Sequence, residues 1–600
     1  MRADTIPARL LKQARANPDS PAYHVKSGGR WRATDWRTFG DEVRRAARAL
    51  LALGIERGDK VAILGFNRPE WVIFDHAAMA VGAVAAGVYT TCSAEEVQYI
   101  VDHAEARVIL LEDEGQWQKI AAVRERLPHL EHAVMMTKGT RDDETPEIDD
   151  ALVMNWAEFE ARGEPISEPD LDQRIDEIQP DDLATLIYTS GTTGPPKGVK
   201  LSHGNLAWTA RTLADLIGQV DEDTSLSYLP LSHIAEQMLT IHGPATIGSS
   251  VYFAESITTV ADNIREVEPT ILFGVPRIWE KFHAGVSSRL EAATGMKKTL
   301  LDWARGVGTQ VSARRNAGKP LGTLLGARYR LADYLIFGKL KKAIGLSNAR
   351  MCVSGAAPVS REVLDFFASL DIAIHEVYGQ SEDCGPTSFN SAGMTRLGTV
   401  GKPIPGIEVK IAGDQEILVK GPNVFSGYYK DQAATDDTLE DGWLHSGDLG
   451  KLDDDGYLII TGRKKDIIIT AGGKNIAPKN IESSLKNSPL IGEAVVIGDR
   501  RKYLSALIAL DPDGLEEFVA AHRGSDETAP EESREVREAI QEVVDEVNRH
   551  LAKVETIKKF TIVSGGFSVE GGELTPTLKV KRNVVNEKYA AAIDAMYGDS

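Results

Sequence analysis

The eleven residues Tyr188 to Gly198, YTSGTTGPPKG, combine hydroxyls, glycines and one lysine in a run that suits phosphate. Backbone N–H groups of a glycine loop can close on phosphate oxygens because no Cβ stands in the way. The hydroxyls of Thr189, Ser190, Thr192 and Thr193 add donors, and Lys197 adds a compact positive charge. The run is not a Walker loop, G-x-x-x-x-G-K-[ST]. Counted from Gly191, Pro196 stands where the second glycine belongs, and Gly198 replaces the hydroxyl residue that would hold magnesium. A lone glycine-rich string of this kind is as readily a surface turn, so its neighbours along the chain decide its meaning.

Six further strings follow in order: YLPLSHIAEQ (Tyr228 to Gln237), FGVPRIWEK (Phe273 to Lys281), VSGAAPVS (Val353 to Ser360), HEVYGQSE (His375 to Glu382), DGWLHSGDLG (Asp441 to Gly450) and GRKKD (Gly462 to Asp466). A carboxylate such as Glu382 suits magnesium, which takes one or two carboxylates together with phosphate oxygens. An aspartate such as Asp448 suits the vicinal hydroxyls of a ribose. Taken singly, these would be a helix-capping glutamate and a turn aspartate. Taken together and in register, they are not.

The whole set resembles the signature of the acyl-adenylate-forming superfamily, which includes acyl-CoA synthetases, luciferases and the adenylation domains of peptide synthetases. The resemblance implies a role for each position. Thr189, Ser190, Gly191, Thr192, Thr193 and Gly194 would wrap the β- and γ-phosphates with Lys197, and Thr189 and Glu382 would hold Mg2+. Gly355, Ala356, Ala357 and Pro358 would lie against the adenine on which Tyr378 stacks, with Gly379 and Gln380 beside it. Ser381 would touch the α-phosphate, Asp448 and Arg463 would face the ribose, and His233 would lie near the substrate carboxylate. Near the C-terminus, LTPTLKVKR places Lys579 where the family keeps the lysine that reaches both carboxylate and α-phosphate. Many members have Ser-Gly-Lys there, and this chain has Thr577, Leu578 and Lys579, as long-chain and bubblegum-type acyl-CoA synthetases do. Lys581 lies close enough to leave two lysines to choose between. Lys465 would be the hinge, and Gly472 and Gly473 of AGGKNIAP would pass the pantetheine arm of coenzyme A.

The implied chemistry is the activation of a carboxylate, a poor acylating agent because its leaving group would be oxide. Attack on the α-phosphate of ATP makes a mixed anhydride with AMP as leaving group, after which a thiol takes the acyl group. Positioning and neutralisation of phosphate charge carry such a step. No cysteine sits in a recognised motif, so the thiol is external, coenzyme A. HIAEQM, SGAAPVS and the stretch ending YRLADYLIFGKLKKAIG resemble long-chain and bubblegum-type synthetases, which implies a long-chain fatty acid. Two alternatives stay open: a fatty acyl-AMP ligase that loads a carrier protein, and adenylation of another carboxylic acid. A non-catalytic nucleotide-binding protein would not need the distant Lys579 alongside Lys197, Glu382, Asp448 and Arg463.

These residues must be held by a particular scaffold. KVAILGF, ARVILLED, TLIYTS, TILFGVP, ARMCVSG and AIHEVYG read as buried strands alternating with helical patterns, an α/β arrangement with largely parallel sheets. Ligands then gather beyond the carboxyl ends of the strands. After residue 466 the texture changes to short strands, a polar stretch GSDETAPEES and one helix from about Ser533 to Leu551. The expectation is a large N-terminal adenylating domain over residues 1–462, a hinge at 463–466, and a small mobile α+β domain over 467–600. Residues 281–345 form a helical insertion with thirteen Lys/Arg against Glu291, Asp302 and Asp333, a net +10. That insertion reads either as solvated helices or as a basic face for anionic lipid or cofactor phosphates.

Composition narrows the rest. At 600 residues the chain exceeds one compact core. A formal charge of −20 excludes a general nucleic-acid binder, which needs a basic face to displace counterions. Cys92, Cys352 and Cys384 are far apart and form neither a disulfide framework nor a zinc motif. The start, MRADTIPARLLKQARANPDS, has an early Asp4 and no apolar core, so it does not read as a signal peptide. His76 to Thr90 is apolar but too short and too rich in Ala and Gly to span a bilayer. The expectation is a cytoplasmic enzyme with peripheral attachment to the inner membrane face, either monomer or homodimer.

Overall fold

The computed structural model describes residues 3–137, 148–189, 194–521, 533–575 and 579–598. Two sheets form the frame of the larger part. One has seven strands in the order Val153–Asn155, His132–Met135, Ala106–Leu111, Lys60–Leu64, Val84–Val88, Leu183–Thr189 and Lys197–Ser202. All its pairings are parallel except the last, the antiparallel pairing of Leu183–Thr189 with Lys197–Ser202. Its central strands are buried on both faces, as the unbroken apolar runs of parallel sheets require. The helix Pro69–Ala80 explains the long apolar stretch near residue 80. Every residue of it is buried, it opens on a proline at its first turn, and it runs on into the strand Val84–Val88.

The second sheet has nine strands. Its middle is parallel, through Ile374–Tyr378, Met351–Ser354, Ile271–Gly274, Thr224–Ser227, Ser250–Phe253 and Pro21–Ser27. Antiparallel strands close both edges. A third, five-stranded antiparallel sheet spans Glu408 to Arg463, which the alternating helix–strand pattern did not foretell. Its strands are uneven in length and burial: Glu408–Ile411 alternates exposed and half-buried residues, and the ten-residue Trp443–Leu452 sets the buried Leu444 and Ser446 among half-buried neighbours, so no single apolar run marks the sheet.

From Ile468 onward the chain builds cores of its own. The antiparallel pair Ile491–Ile497 and Leu504–Leu510 continues into Ile557–Val563, parallel to the second. Helices Pro478–Leu485 and Arg534–Arg549 pack against that sheet through Ile481, Leu485, Val536, Ile540 and Val544. Ser533 caps the latter helix, and its basic Arg549 lies in the last turn, as the helix dipole favours. Residues 524–532 of the polar stretch lie outside the described residues.

The basic segment is helical, with Gly295–Asn316 and Thr323–Ala332 running on through Asp333–Phe337 to Gly338–Ala343. It has a small core of Ala304, Val307, Val311, Ala332 and Phe337. Some of its cations are used internally, Arg314 on the Pro320 carbonyl and Lys298 on Asp302 among them. Arg315 and Lys341 both reach the buried Asp371, and Arg305 donates to Ser369. Among the described residues no helix is long and apolar enough to cross a membrane.

Candidate active site

The expected site residues sit where parallel strands end. Met351–Ser354 leads into Gly355 to Pro358, and Ile374–Tyr378 leads into Gly379 to Glu382. Because Ser354 pairs directly with Glu376, these two loops leave the sheet side by side. Gly355 is buried against Val377, while Ala356, Ala357 and Pro358 are exposed, with Ala356 in the left-handed region at φ 68°. Gly379 has no room for a side chain, since a Cβ there would lie 1.6 Å from the carbonyl oxygen of Gly385. That contact folds the loop tightly and turns Ser381 inward and Glu382 into the cleft.

On the other sheet Thr189 pairs with Lys197 across the hairpin, and Gly194 between them has φ 91°. Ser190, Gly191, Thr192 and Thr193 lie outside the described residues. The Lys197 ammonium stands 4.9 Å over the ring of Tyr428, whose hydroxyl donates to Glu382 Oε1 at 2.7 Å. Tyr428 thereby joins Lys197, expected to meet phosphate, to the carboxylate expected to take magnesium. The sequence reading missed it, because a tyrosine in FSGYYKD has no spacing that marks it as a site residue. Among the described residues Glu382 Oε2 accepts no hydrogen bond. Its neighbour Asp383 is unavailable: it is buried, takes the Gln380 amide at 2.8 Å and the Thr387 hydroxyl, and burial pushes its carboxyl up to about 8.

Asp448 and Arg463 are direct partners on neighbouring antiparallel strands, with Nε 3.4 Å from Oδ1. The Tyr378 hydroxyl donates to Asp448 Oδ2 at 2.9 Å. Burial raises the Asp448 carboxyl, and Arg463, then the Tyr378 hydrogen bond, then Lys579 oppose that rise. Burial foremost, with the Asp448 charge behind it, pushes the Tyr378 phenol well up, so it stays a donor. His233 opens the short helix Ile234–Gln237, and its Nδ1 accepts the Ala235 amide at 3.1 Å. The proton of the neutral ring is therefore on Nε2. Burial, reinforced by the charge of Lys579, lowers its pKa to about 4 and keeps the ring neutral.

Lys579 arrives from the other side. Its amide donates to Thr575 Oγ1 at 3.0 Å and its carbonyl accepts the Thr575 amide at 2.7 Å. Protein surrounds it while its own surface stays open, as for a side chain projecting into a cleft. Burial lowers its pKa, assisted by Arg463 and Lys479 and opposed by Asp448 and Glu382. Lys581 turns elsewhere, with Nζ 4.0 Å from Glu96. The structure thus brings together Lys197, Glu382, Asp448, Arg463, His233, Tyr378 and Lys579.

Three expected residues, Lys465, Gly472 and Gly473, stay outside this cluster. Lys465 sits in an exposed turn whose flanks are tied down: Lys464 bonds to the Gly447 carbonyl, Asp414 and Glu416, and the Asp466 amide bonds to Arg463. Gly472 and Gly473 lie exposed in the turn between Ile468–Ile469 and Asn475–Ile476. A Cβ on Gly473 would meet nothing within 4 Å, so its left-handed φ of 72°, not crowding, calls for glycine in this arrangement. Among the described residues no three His, Cys, Asp or Glu side chains cluster as a metal cage. A single available carboxylate matches a magnesium ion that takes most of its ligands from phosphate and water.

Comparison with known proteins agrees with this architecture. Residues 10–429 match the family model described as AMP-binding enzyme, and residues 465–600 match that of the AMP-binding enzyme C-terminal domain. The chain is 39% identical to a long-chain-fatty-acid–CoA ligase (ACSBG2) of Xenopus laevis, over 97% of this chain and 82% of that one. It is 36% identical to the long-chain-fatty-acid–CoA ligase FadD15 of Mycobacterium bovis, over 99% and 97%. Among solved structures, the adenylation domain of a carboxylate reductase from Mycobacterium chelonae superposes with a TM-score of 0.75 at 22% identity, covering 99% of this chain and 91% of that one. A fatty acyl CoA synthetase of Mycobacterium tuberculosis superposes with a TM-score of 0.61 at 23% identity, covering 98% and 99%. At such identities these two likenesses speak for the fold alone. The chain belongs to the AMP-binding enzyme family.

Proposed function

We propose that the chain is a long-chain fatty acid–CoA ligase that forms AMP: it activates the acid with ATP and transfers the acyl group to coenzyme A. The observation that carries this reading is the meeting of Lys579, from the C-terminal part, with Glu382, Asp448–Arg463 and His233 of the N-terminal part. A nucleotide-binding protein would have no use for a lysine delivered across a domain boundary. The naming of relatives at 36% and 39% identity as long-chain-fatty-acid–CoA ligases supports the substrate class.

In the first step a carboxylate oxygen attacks the α-phosphorus, the bond to the bridging oxygen breaks, and pyrophosphate leaves. Both reactants are anions, so the step needs positive charge placed in advance. Lys579 faces carboxylate and α-phosphate, Lys197 faces the outer phosphates, and the Ser381 hydroxyl and the Nε2 proton of His233 donate hydrogen bonds. Asp448 takes the ribose hydroxyls, with Arg463 and Tyr378 fixing its carboxylate. Magnesium, held by Glu382 with Thr189, would neutralise charge on the phosphates. In the second step the thiol sulfur attacks the acyl carbon, loses its proton to solvent, and the carbon–oxygen bond to AMP breaks. The family resemblance carries a second arrangement for this step, in which rotation about Lys465 withdraws Lys579 and brings Gly472 and Gly473 over the site. A long-chain acid partitions into bilayers, so the reading includes peripheral attachment to a membrane face through the basic segment.

The test is thioester formation over acids of increasing length, with coenzyme A and a carrier protein offered separately. Acyl-CoA, AMP and pyrophosphate from long-chain acids bear the reading out. Adenylate made but passed only to carrier protein would replace it with the carrier-loading ligase.

A further inference from the structure

The helix Thr323–Ala332 is apolar on two sides, and the chain covers only one of them. Leu325, Tyr329, Ala332 and Phe337 face inward with Ala304, Val307 and Val311. On the opposite side Leu324, Leu331 and Tyr334 are 68%, 51% and 79% exposed. Their spacing, seven residues and then three, puts them on one stripe of a helical run. Scattered exposed leucines are ordinary, but an aligned set on one helix needs an occupant.

The charges around the stripe identify that occupant. Arg328, Arg330, Lys339 and Lys342 are exposed and, among the described residues, form no ion pair. Asp333 is the one acid between residues 323 and 343. Arg305, Arg315 and Lys341, which serve the fold, point the other way, towards Ser369 and Asp371. The outward set is therefore separate from the structural set, on a chain whose net charge is −20. An apolar stripe with a tyrosine, edged by unpaired Arg and Lys, is the composition of a helix that lies in a membrane interface.

We propose that this face docks the protein on an anionic bilayer, with Leu324, Leu331 and Tyr334 entering the headgroup region and Arg328, Arg330, Lys339 and Lys342 on the lipid phosphates. The need for such a face rests on the reading of the substrate as a long-chain acid, which is held in membranes. The mode differs from attraction by charge alone. Purely electrostatic binding fades within a Debye length and is released by salt, whereas buried apolar side chains hold on.

The test is sedimentation of the full chain with phosphatidylcholine vesicles containing about 30% phosphatidylglycerol, at low salt and at about 0.5 M salt. Wild type should bind at low salt and keep a salt-resistant fraction. Leu331→Glu with Tyr334→Glu should weaken binding at least tenfold and abolish that fraction, while turnover of a short soluble acid is unchanged. Arg328→Glu with Lys342→Glu should weaken low-salt binding at least tenfold, and it tests the same face should the first variant fold poorly. Wild type that ignores the vesicles, or variants that bind as wild type does, would overturn the proposal. So would a wild-type dimer that the first variant converts to monomer in sedimentation velocity, since the face would then join two copies. Vesicle binding by a chain that makes no thioester would sink the functional reading alone, and a working ligase that ignores vesicles would sink the docking face alone.

Discussion

Arg277 Nη2 lies 3.0 Å from Asp511 Oδ2, an ion pair between the helix Pro276–Glu291 and the residue preceding the helix Pro512–Ala521. It joins the two parts of the chain, as do Lys581 to Glu96 at 4.0 Å and the Asn487 amide to Glu362 at 3.2 Å. All three hold the arrangement in which Lys579 faces Asp448 and Glu382. If a second arrangement serves the thiol step, these contacts break on the way to it. Arg277 is half exposed, so the pair contributes at most about 1 kcal/mol. Asp511→Ala should therefore slow adenylate formation about two- to fivefold and leave thioester formation from supplied acyl-adenylate as fast or faster. Slowing of the second half-reaction alone would show that the contact serves the other arrangement.

Lys579→Ala should reduce adenylate formation by at least about a hundredfold, the scale of losing one preorganised donor to developing charge. Thioester formation from supplied acyl-adenylate should persist. Lys581→Ala should change either half-reaction little, because its ammonium is turned to Glu96. The pH profile adds a sign. In its proposed role Lys579 acts protonated, and its pKa is lowered by burial, Arg463 and Lys479, so adenylation should fall with rising pH before an ordinary lysine would titrate. Rate measurements on both variants across alkaline pH decide it. Equal loss of both half-reactions in Lys579→Ala would remove its assignment to the first step.

The strings expected to meet phosphate, ribose and magnesium were legible because each kind of site calls for particular residue types at fixed spacing. The strands beneath them were legible because burial on both faces leaves unbroken apolar runs. Tyr428 was not: its bond to Glu382 and its ring under Lys197 arise from residues 46 and 231 positions away meeting in space. The basic segment was half legible. Its charge was plain, but nothing local told that Arg315 and Lys341 turn inward to Asp371, whereas Arg328 and Lys342 do not.

Lys465→Pro fixes φ at residue 465 and restricts Lys464 before it. Lys464 is anchored to Gly447, Asp414 and Glu416, and Asp466 to Arg463, so rotation between the two parts must be absorbed in the intervening exposed turn. Thioester formation should drop at least about tenfold more than adenylation, the step that the proposed function assigns to the present arrangement. Wild-type rates for both half-reactions would place the pivot elsewhere.

Asp75 gives a prediction about stability rather than rate. It lies mid-helix in Pro69–Ala80, fully buried, and among the described residues neither carboxylate oxygen has a hydrogen-bond partner. Burial raises its pKa to about 8, so the folded protein holds it as the neutral acid at physiological pH. The unfolded chain titrates near the ordinary value of about 3.9. A raised folded pKa means that the stabilisation is complete below about pH 4 and is lost progressively as pH rises towards 8, by up to about 1.4 kcal/mol per pH unit. Asp75→Asn keeps the shape of the neutral acid and cannot ionise. Its melting temperature should match wild type near pH 4 and exceed it increasingly towards pH 8. A constant difference across that range would mean that Asp75 is ionised in the fold, paired with a group that keeps its charge.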